Sequence, residues 1–296
     1  MEGLVELLHS LSGQSQKLAR RLVAYRDLLS DPVNNVHARA RVIADLGCAI
    51  QAFPDSEVRE KLVEWCRNES AAIEQSRAEF RFEFGRLLVT GLEGSGLNVR
   101  GQLPLLRVGL FTVRADFEAG SATIFWGPEI EKLKTGLALA PADLATTLRK
   151  WDERLRQRSV EPAKLAGRLH AAYRRFCGLG GLNEGTRVFL LDLLSELVLL
   201  MQPESFRLNP AQEKFVEYPR VRFSYDLFRL KQARTLASTA PVGQRAVGEV
   251  QLKLHVANFD ATTEKAKALW VPDSEEGEGT HYSYISFSPM TKDGRG

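Results

Sequence analysis

Four carboxylates gather around one short stretch of this chain: Asp116, Glu118, Glu129 and Glu131, with Lys132 and Lys134 close behind. Carboxylates on a β-hairpin can hold Mg²⁺, and a neighbouring lysine can stabilise the charge that develops when a phosphodiester is cleaved. The chemistry to weigh is therefore a divergent metal-dependent nuclease, with Asp116, Glu129, Glu131 and Lys132 as its catalytic set. The local order departs from what such a site needs. Glu131 stands where the lysine belongs, two residues after the acid, and Pro128 interrupts the strand. A solvated strand face would also carry Asp116 and Glu118.

Two basic concentrations offer a different chemistry. The first holds Arg149, Lys150, Arg154, Arg156, Arg158, Lys164, Arg168, Arg174 and Arg175, against Asp152, Glu153 and Glu161. The second holds Arg220, Arg222, Arg229, Lys231, Arg234 and Arg245, against Asp226 alone, with Phe223, Tyr225 and Phe228 interleaved. Arginine outnumbers lysine in both, which suits bidentate contact with phosphate or carboxylate. Arginines interleaved with aromatics can also hold a backbone and stack bases. Arg154, Arg158, Arg174, Arg175, Arg220, Arg222, Arg229, Lys231 and Arg234 are the candidate contacts with DNA, RNA or an acidic protein.

Other signatures of chemistry are missing. Gly91-Leu-Glu-Gly94-Ser-Gly96 and Gly178-Leu-Gly-Gly181 are glycine-rich, but neither is followed by Lys-Ser/Thr and both follow helices. No G-x-S-x-G elbow and no H-E-x-x-H occur. His9, His37, His170, His255 and His281 show no ligand spacing, and Cys48, Cys66 and Cys177 form no C-x-x-C pair and no disulfide framework. No metal site and no cofactor are expected. The segment 272–279, Pro-Asp-Ser-Glu-Glu-Gly-Glu-Gly, reads as a flexible, solubilising hairpin tip.

The elements that must position these residues follow from periodicity. Residues 1 to about 95 read as helix throughout: Leu4 to Leu29, Val33 to Phe53, and a rod from Asp55 to Leu92. Pro32 and Pro54 separate them, because proline cannot continue a helix. The rod repeats Val58, Leu62, Trp65, Ile73, Phe80, Phe84, Leu87 and Leu88 at helical spacing for roughly 55 Å. Surplus helix of that length predicts a docking arm, with Val58, Leu62, Trp65, Ile73 and Phe80 facing a partner or a second copy. Polar Glu69 and Ser76 at core-like positions argue against a strict coiled coil.

Beyond the glycines the period changes to two. Phe111, Val113, Ala115 and Phe117 alternate with Thr112, Arg114, Asp116 and Glu118, and Ala122, Ile124 and Trp126 follow a turn: a β-hairpin. Three helices come next, from Pro141, from Pro162, and from about Glu184 to Met201, the last apolar nearly all round and buried centrally. Its Asp192 and Glu196 share a face expected to meet water or a basic partner. Alternation around Val221–Tyr225, 250–256, 269–271 and 281–287 then predicts antiparallel strands.

The fold expected is α+β. An N-terminal helical hairpin or bundle with a long helix spans 1–96, a body of antiparallel strands on three central helices spans 97–290, and 291–296 forms a disordered tail. The 44% hydrophobic content is that of a globular protein, and a net charge of +3 is too small to imply nucleic acid without local clustering. The most apolar window, 188–201, is too short and too charged to span a bilayer, and the opening lacks a basic leader, so a cytoplasmic protein without membrane contact is expected. Together these readings point to a non-enzymatic accessory subunit of a multi-protein complex, for instance a partner of a DNA-handling ATPase machine.

Overall fold

A computed structural model describes residues 2–32, 34–51, 53, 56–239 and 250–289. The architecture is α+β, as the sequence predicts. The contacts divide the chain into two compact units: Met1–Gly96 with Ala115–Ala122 and Gly136–Thr147, and the remainder, Leu97–Arg114, Thr123–Thr135 and Leu148–Gly296.

The first unit is built on α1 (Glu2–Leu28), α2 (Val36–Gln51) and α3 (Ser56–Leu92), each starting or stopping beside the prolines and glycines that the sequence places there. Ile43, Leu46 and Ile50 of α2 and Ile73, Phe80, Phe84 and Leu88 of α3 are almost fully buried. A polar triad sits among them. The Arg39 Nε donates to the Tyr25 hydroxyl at 3.2 Å, Tyr25 donates to Glu69, and Arg39 Nη2 lies 3.4 Å from the same Glu69 oxygen. Glu69 therefore occupies a core-like position because a buried arginine and a tyrosine meet it there, which satisfies all three. The turn segment 115–122 belongs to this unit. Phe117 stands edge-on to Phe80 and Phe84 at 6.3 and 5.5 Å, and Arg81 lies over its ring at 5.5 Å. Gly120 adopts φ +60°, and any side chain there would strike the His37 ring.

A five-stranded antiparallel sheet runs in sequential order: β1 (Val99–Gln102), β2 (Leu105–Val108), β3 (Phe111–Asp116), β4 (Ser121–Trp126) and β5 (Glu131–Ala138). The hairpin β3–β4 matches the alternation in sequence. The sequence alternation does not predict β1, β2 or β5, the last of which starts three residues after Pro128.

The chain continues with α4 (Pro141–Gln157), whose residues up to Thr147 belong to the first unit, and then, in the second, with α5 (Pro162–Gly180), β6 (Val188–Phe189), α6 (Leu190–Leu200), α7 (Glu204–Leu208), α8 (Arg220–Thr239), β7 (Val250–Val256), α9 (Phe259–Thr262), β8 (Leu269–Pro272) and β9 (Gly279–Pro289). β9 pairs antiparallel with β6, β7 and β8 in a second sheet. The third central helix starts at Leu190 instead of Glu184, because Val188 and Phe189 pair with β9. One correction is larger. Val221, Phe223 and Tyr225 belong to α8, a helix and not a strand. Val221, Phe223, Ser224, Tyr225, Asp226, Leu227 and Phe228 are all buried, so the helix shows no amphipathic period. Intervening arginines at 220 and 222 imitate a period of two.

The core of this unit centres on Trp126, edge-on to Phe111 at 5.7 Å, to Trp270 at 5.5 Å and to Tyr225 at 6.3 Å. Its indole N–H donates to Ser224 Oγ at 2.8 Å, and Ser224 donates to the Trp270 carbonyl at 2.5 Å. Gly127 and Gly279 both lie against the Trp270 indole, where a Cβ would collide with it. Arg245 and the expected tail at 291–296 lie outside the described residues.

Candidate polyanion-binding surfaces

The second basic cluster lies on α8, and much of it is engaged within its own unit. Arg220 is largely covered. Its Nε sits 3.2 Å from Glu131 and its Nη2 donates to the Ala268 carbonyl at 3.0 Å, while Lys265 meets the other Glu131 oxygen at 2.5 Å. Burial depresses the Arg220 pKa, and the Glu131 charge opposes that shift. Arg222 lies over the Tyr218 ring at 5.3 Å, with its Nε 4.0 Å from Asp226. Lys231 pairs with Asp273 and donates to the Tyr282 hydroxyl at 3.1 Å. Arg229 is half-buried beside Tyr225. Arg234 continues the helix, and its side chain lies outside the described residues.

Asp226 anchors this region, a role that no local sequence pattern announces. It is fully buried, accepts a 2.7 Å hydrogen bond from the Tyr218 hydroxyl and a 3.0 Å bond from the Val160 N–H, and faces Arg222. Burial pushes its carboxyl up to about 6, against the opposing pull of those two hydrogen bonds and of Arg222 and Arg229. Burial and the Asp226 charge raise the Tyr218 hydroxyl in turn. The aspartate terminates polar groups around it in a closed site.

The first basic cluster is different. Lys150, Arg154 and Arg158 are exposed and stand four residues apart, which puts them on one stripe along α4 and the turn that ends it. Arg154 lies over the Trp151 ring at 5.7 Å. Lys150, Arg154 and Arg158 form no ion pair among the described residues. Arg156 lies on the other side of the helix, held at 2.8 Å by both Asp152 and Glu275. On α5, Arg174 stands 3.7 Å from Glu184 and Arg175 3.2 Å from Glu196. The basic partner expected for the Asp192–Glu196 face is thus Arg175 of the same chain.

The acidic segment 272–279 corrects its reading as a free, flexible tip. Asp273 meets Lys231, Glu275 meets Arg156 at 2.8 Å, and Glu276 meets Arg100 at 2.6 Å, so cations from three elements fasten it. Glu276 also sits beside a like-charged pair, because Arg100 and Arg107 are direct partners across β1 and β2. That carboxylate and the Glu129 charge near Arg107 offset the repulsion between them.

The hairpin carboxylates have separate roles. Asp116 accepts from the backbone N–H groups of Glu118 and Ala119 at 3.1 and 2.8 Å and closes the β3–β4 turn. Glu129 pairs with Arg114, and Glu131 with Arg220 and Lys265. Lys132 is exposed on β5. No group of three or more His, Cys, Asp or Glu side chains among the described residues is arranged to hold a metal ion. Of the residues expected to meet a partner, Ile73 and Phe80 are instead buried in the core of the first unit, and Trp65 packs edge-on against Tyr25 at 5.3 Å. Leu62 is half-buried and Val58 is 42% exposed.

Among the described residues no helix is long and apolar enough to cross a membrane. No family model matches the chain, and no curated protein or solved structure matches it either.

Proposed function

We propose that the protein is a non-enzymatic interaction subunit of a larger assembly, contacting nucleic acid through the basic stripe of α4 while its N-terminal helices dock onto protein. The supporting observation is the contrast in engagement. Arg220, Arg222 and Lys231 are held by carboxylates of their own unit, whereas Lys150, Arg154 and Arg158 present their charge to solvent along one helix face. Four residues of helix advance about 6 Å, so the stripe carries successive cations at a spacing that a phosphate backbone can follow. The planar guanidiniums of Arg154 and Arg158 can each take a phosphate by two hydrogen bonds.

Fluorescence anisotropy of labelled duplex DNA, single-stranded DNA and RNA with the full chain, repeated over a salt series, tests this reading. Binding to at least one of the three should weaken as salt rises. Lys150→Glu, Arg154→Glu and Arg158→Glu together should abolish it, and neutral substitutions should reduce the salt slope by about one per cation removed. Arg220→Gln should leave it intact. Binding to none of the three, or binding that survives the triple reversal, would sink the proposal.

A further inference from the structure

One face of α3 is left over when its core is formed. Phe80, Phe84 and Leu88 point into the first unit and are fully buried. On the opposite side Ala71, Gln75, Ala78, Phe82, Gly85 and Val89 follow the alternating four–three spacing of a helix-packing seam. Phe82 is 85% exposed and Val89 is 47% exposed. Gly85 lies mid-helix, where glycine is unfavourable. Among the described residues nothing explains it: its φ is not positive, and a Cβ added there would meet nothing within 4 Å. A glycine with open space above it, one turn from a bare phenylalanine, is what close approach of another helix requires.

We infer that this face binds a second copy of the chain, with the two α3 helices antiparallel about a two-fold axis between residues 83 and 84. The inference rests on the reading of the N-terminal helices as a docking element and specifies their partner. In this register Phe82 fills the space over Gly85 of the other copy, and Val89 covers Ala78, each contact occurring twice. In these layers large side chains meet small ones. On the flank, Arg86, which pairs with Glu83 of its own helix at 2.5 Å, also faces Glu79 of the other copy, again twice. The parallel alternative sets Phe82 against Phe82 and Gly85 against Gly85. It also brings Glu74 towards Glu79 and Arg81 towards Arg86, so both packing and charge oppose it.

Sedimentation equilibrium of the full chain provides the test, with circular dichroism to check that each variant is folded. The wild type should be a dimer and Phe82→Glu a monomer, since an exposed side chain can be replaced without harm to the fold. Glu79→Arg and Arg86→Glu should each lose the dimer through like-charge contact, and the double variant should regain it by restoring opposite charges in reverse. A monomeric wild type, a dimer that withstands Phe82→Glu, or single reversals that the double variant does not rescue would each overturn the inference. The α4 triple reversal should leave the dimer unchanged, so failure of nucleic-acid binding and failure of self-association are read separately.

Discussion

Two arginine clusters of similar composition meet different fates in this protein. On α8 the cations are partly covered and matched: Arg220 with Glu131, Arg222 with the Tyr218 ring and Asp226, Lys231 with Asp273. On α4 the stripe Lys150, Arg154 and Arg158 is exposed and has no acidic partner among the described residues. Basic residues counted along a sequence therefore say little about binding until their carboxylates are located. A matched, half-buried cation holds the fold, and an unmatched, exposed one remains available to an external anion.

Stability measurements can break this contrast, and the largest effect belongs to Asp226. Asp226→Ala removes the acceptor for Tyr218 and Val160 and leaves Arg222 without its carboxylate. Denaturant unfolding should show a loss of about 3 kcal/mol or more. Asp226→Asn keeps hydrogen-bonding capacity at the same place and should cost far less. Its pH dependence should also be distinctive. The folded carboxyl titrates near 6 and the unfolded one near 3.8, so the folded state binds the extra proton. The stability this group contributes is fully present below the unfolded value and is lost as pH rises through about 6. The wild-type curve should therefore fall relative to Asp226→Asn across that interval, and parallel curves would refute the assignment.

Smaller effects sharpen the comparison. Arg220→Ala leaves Glu131 with Lys265 alone and should lower stability by roughly 1–2 kcal/mol, with anisotropy titrations unaffected. At the other extreme, alanine at Lys150, Arg154 and Arg158 should change unfolding by no more than about 0.5 kcal/mol each, while nucleic-acid binding falls. If the α4 substitutions unfold the protein and the α8 substitutions do not, the roles given to the two clusters are reversed.

The sequence displayed some of this directly. Strict alternation from Phe111 to Trp126 and the sustained helical spacing of α3, α4 and α5 are local signals, and the elements follow them. α8 reads as a strand in sequence because a helix buried nearly all round has no polar face to set its period. β1 and β2 span four residues each, too short for alternation to declare itself. At the candidate site the composition was visible and the engagement was not. Arg156 meets Glu275 across 119 positions and Lys231 meets Asp273 across 42, so the matching charge is supplied by chain closure that no local window contains. Glu69 follows the same rule, because its partners Tyr25 and Arg39 come from two other helices.

The edge-to-face indoles of Trp126 and Trp270 have a practical use. Coupled chromophores at that separation give a paired far-ultraviolet signal that lone tryptophans such as Trp65 lack. Loss of that signal reports melting of the second unit, and Trp65 fluorescence against Tyr25 follows the first. The molecule thus carries its own optical labels for asking whether its halves come apart together or in turn.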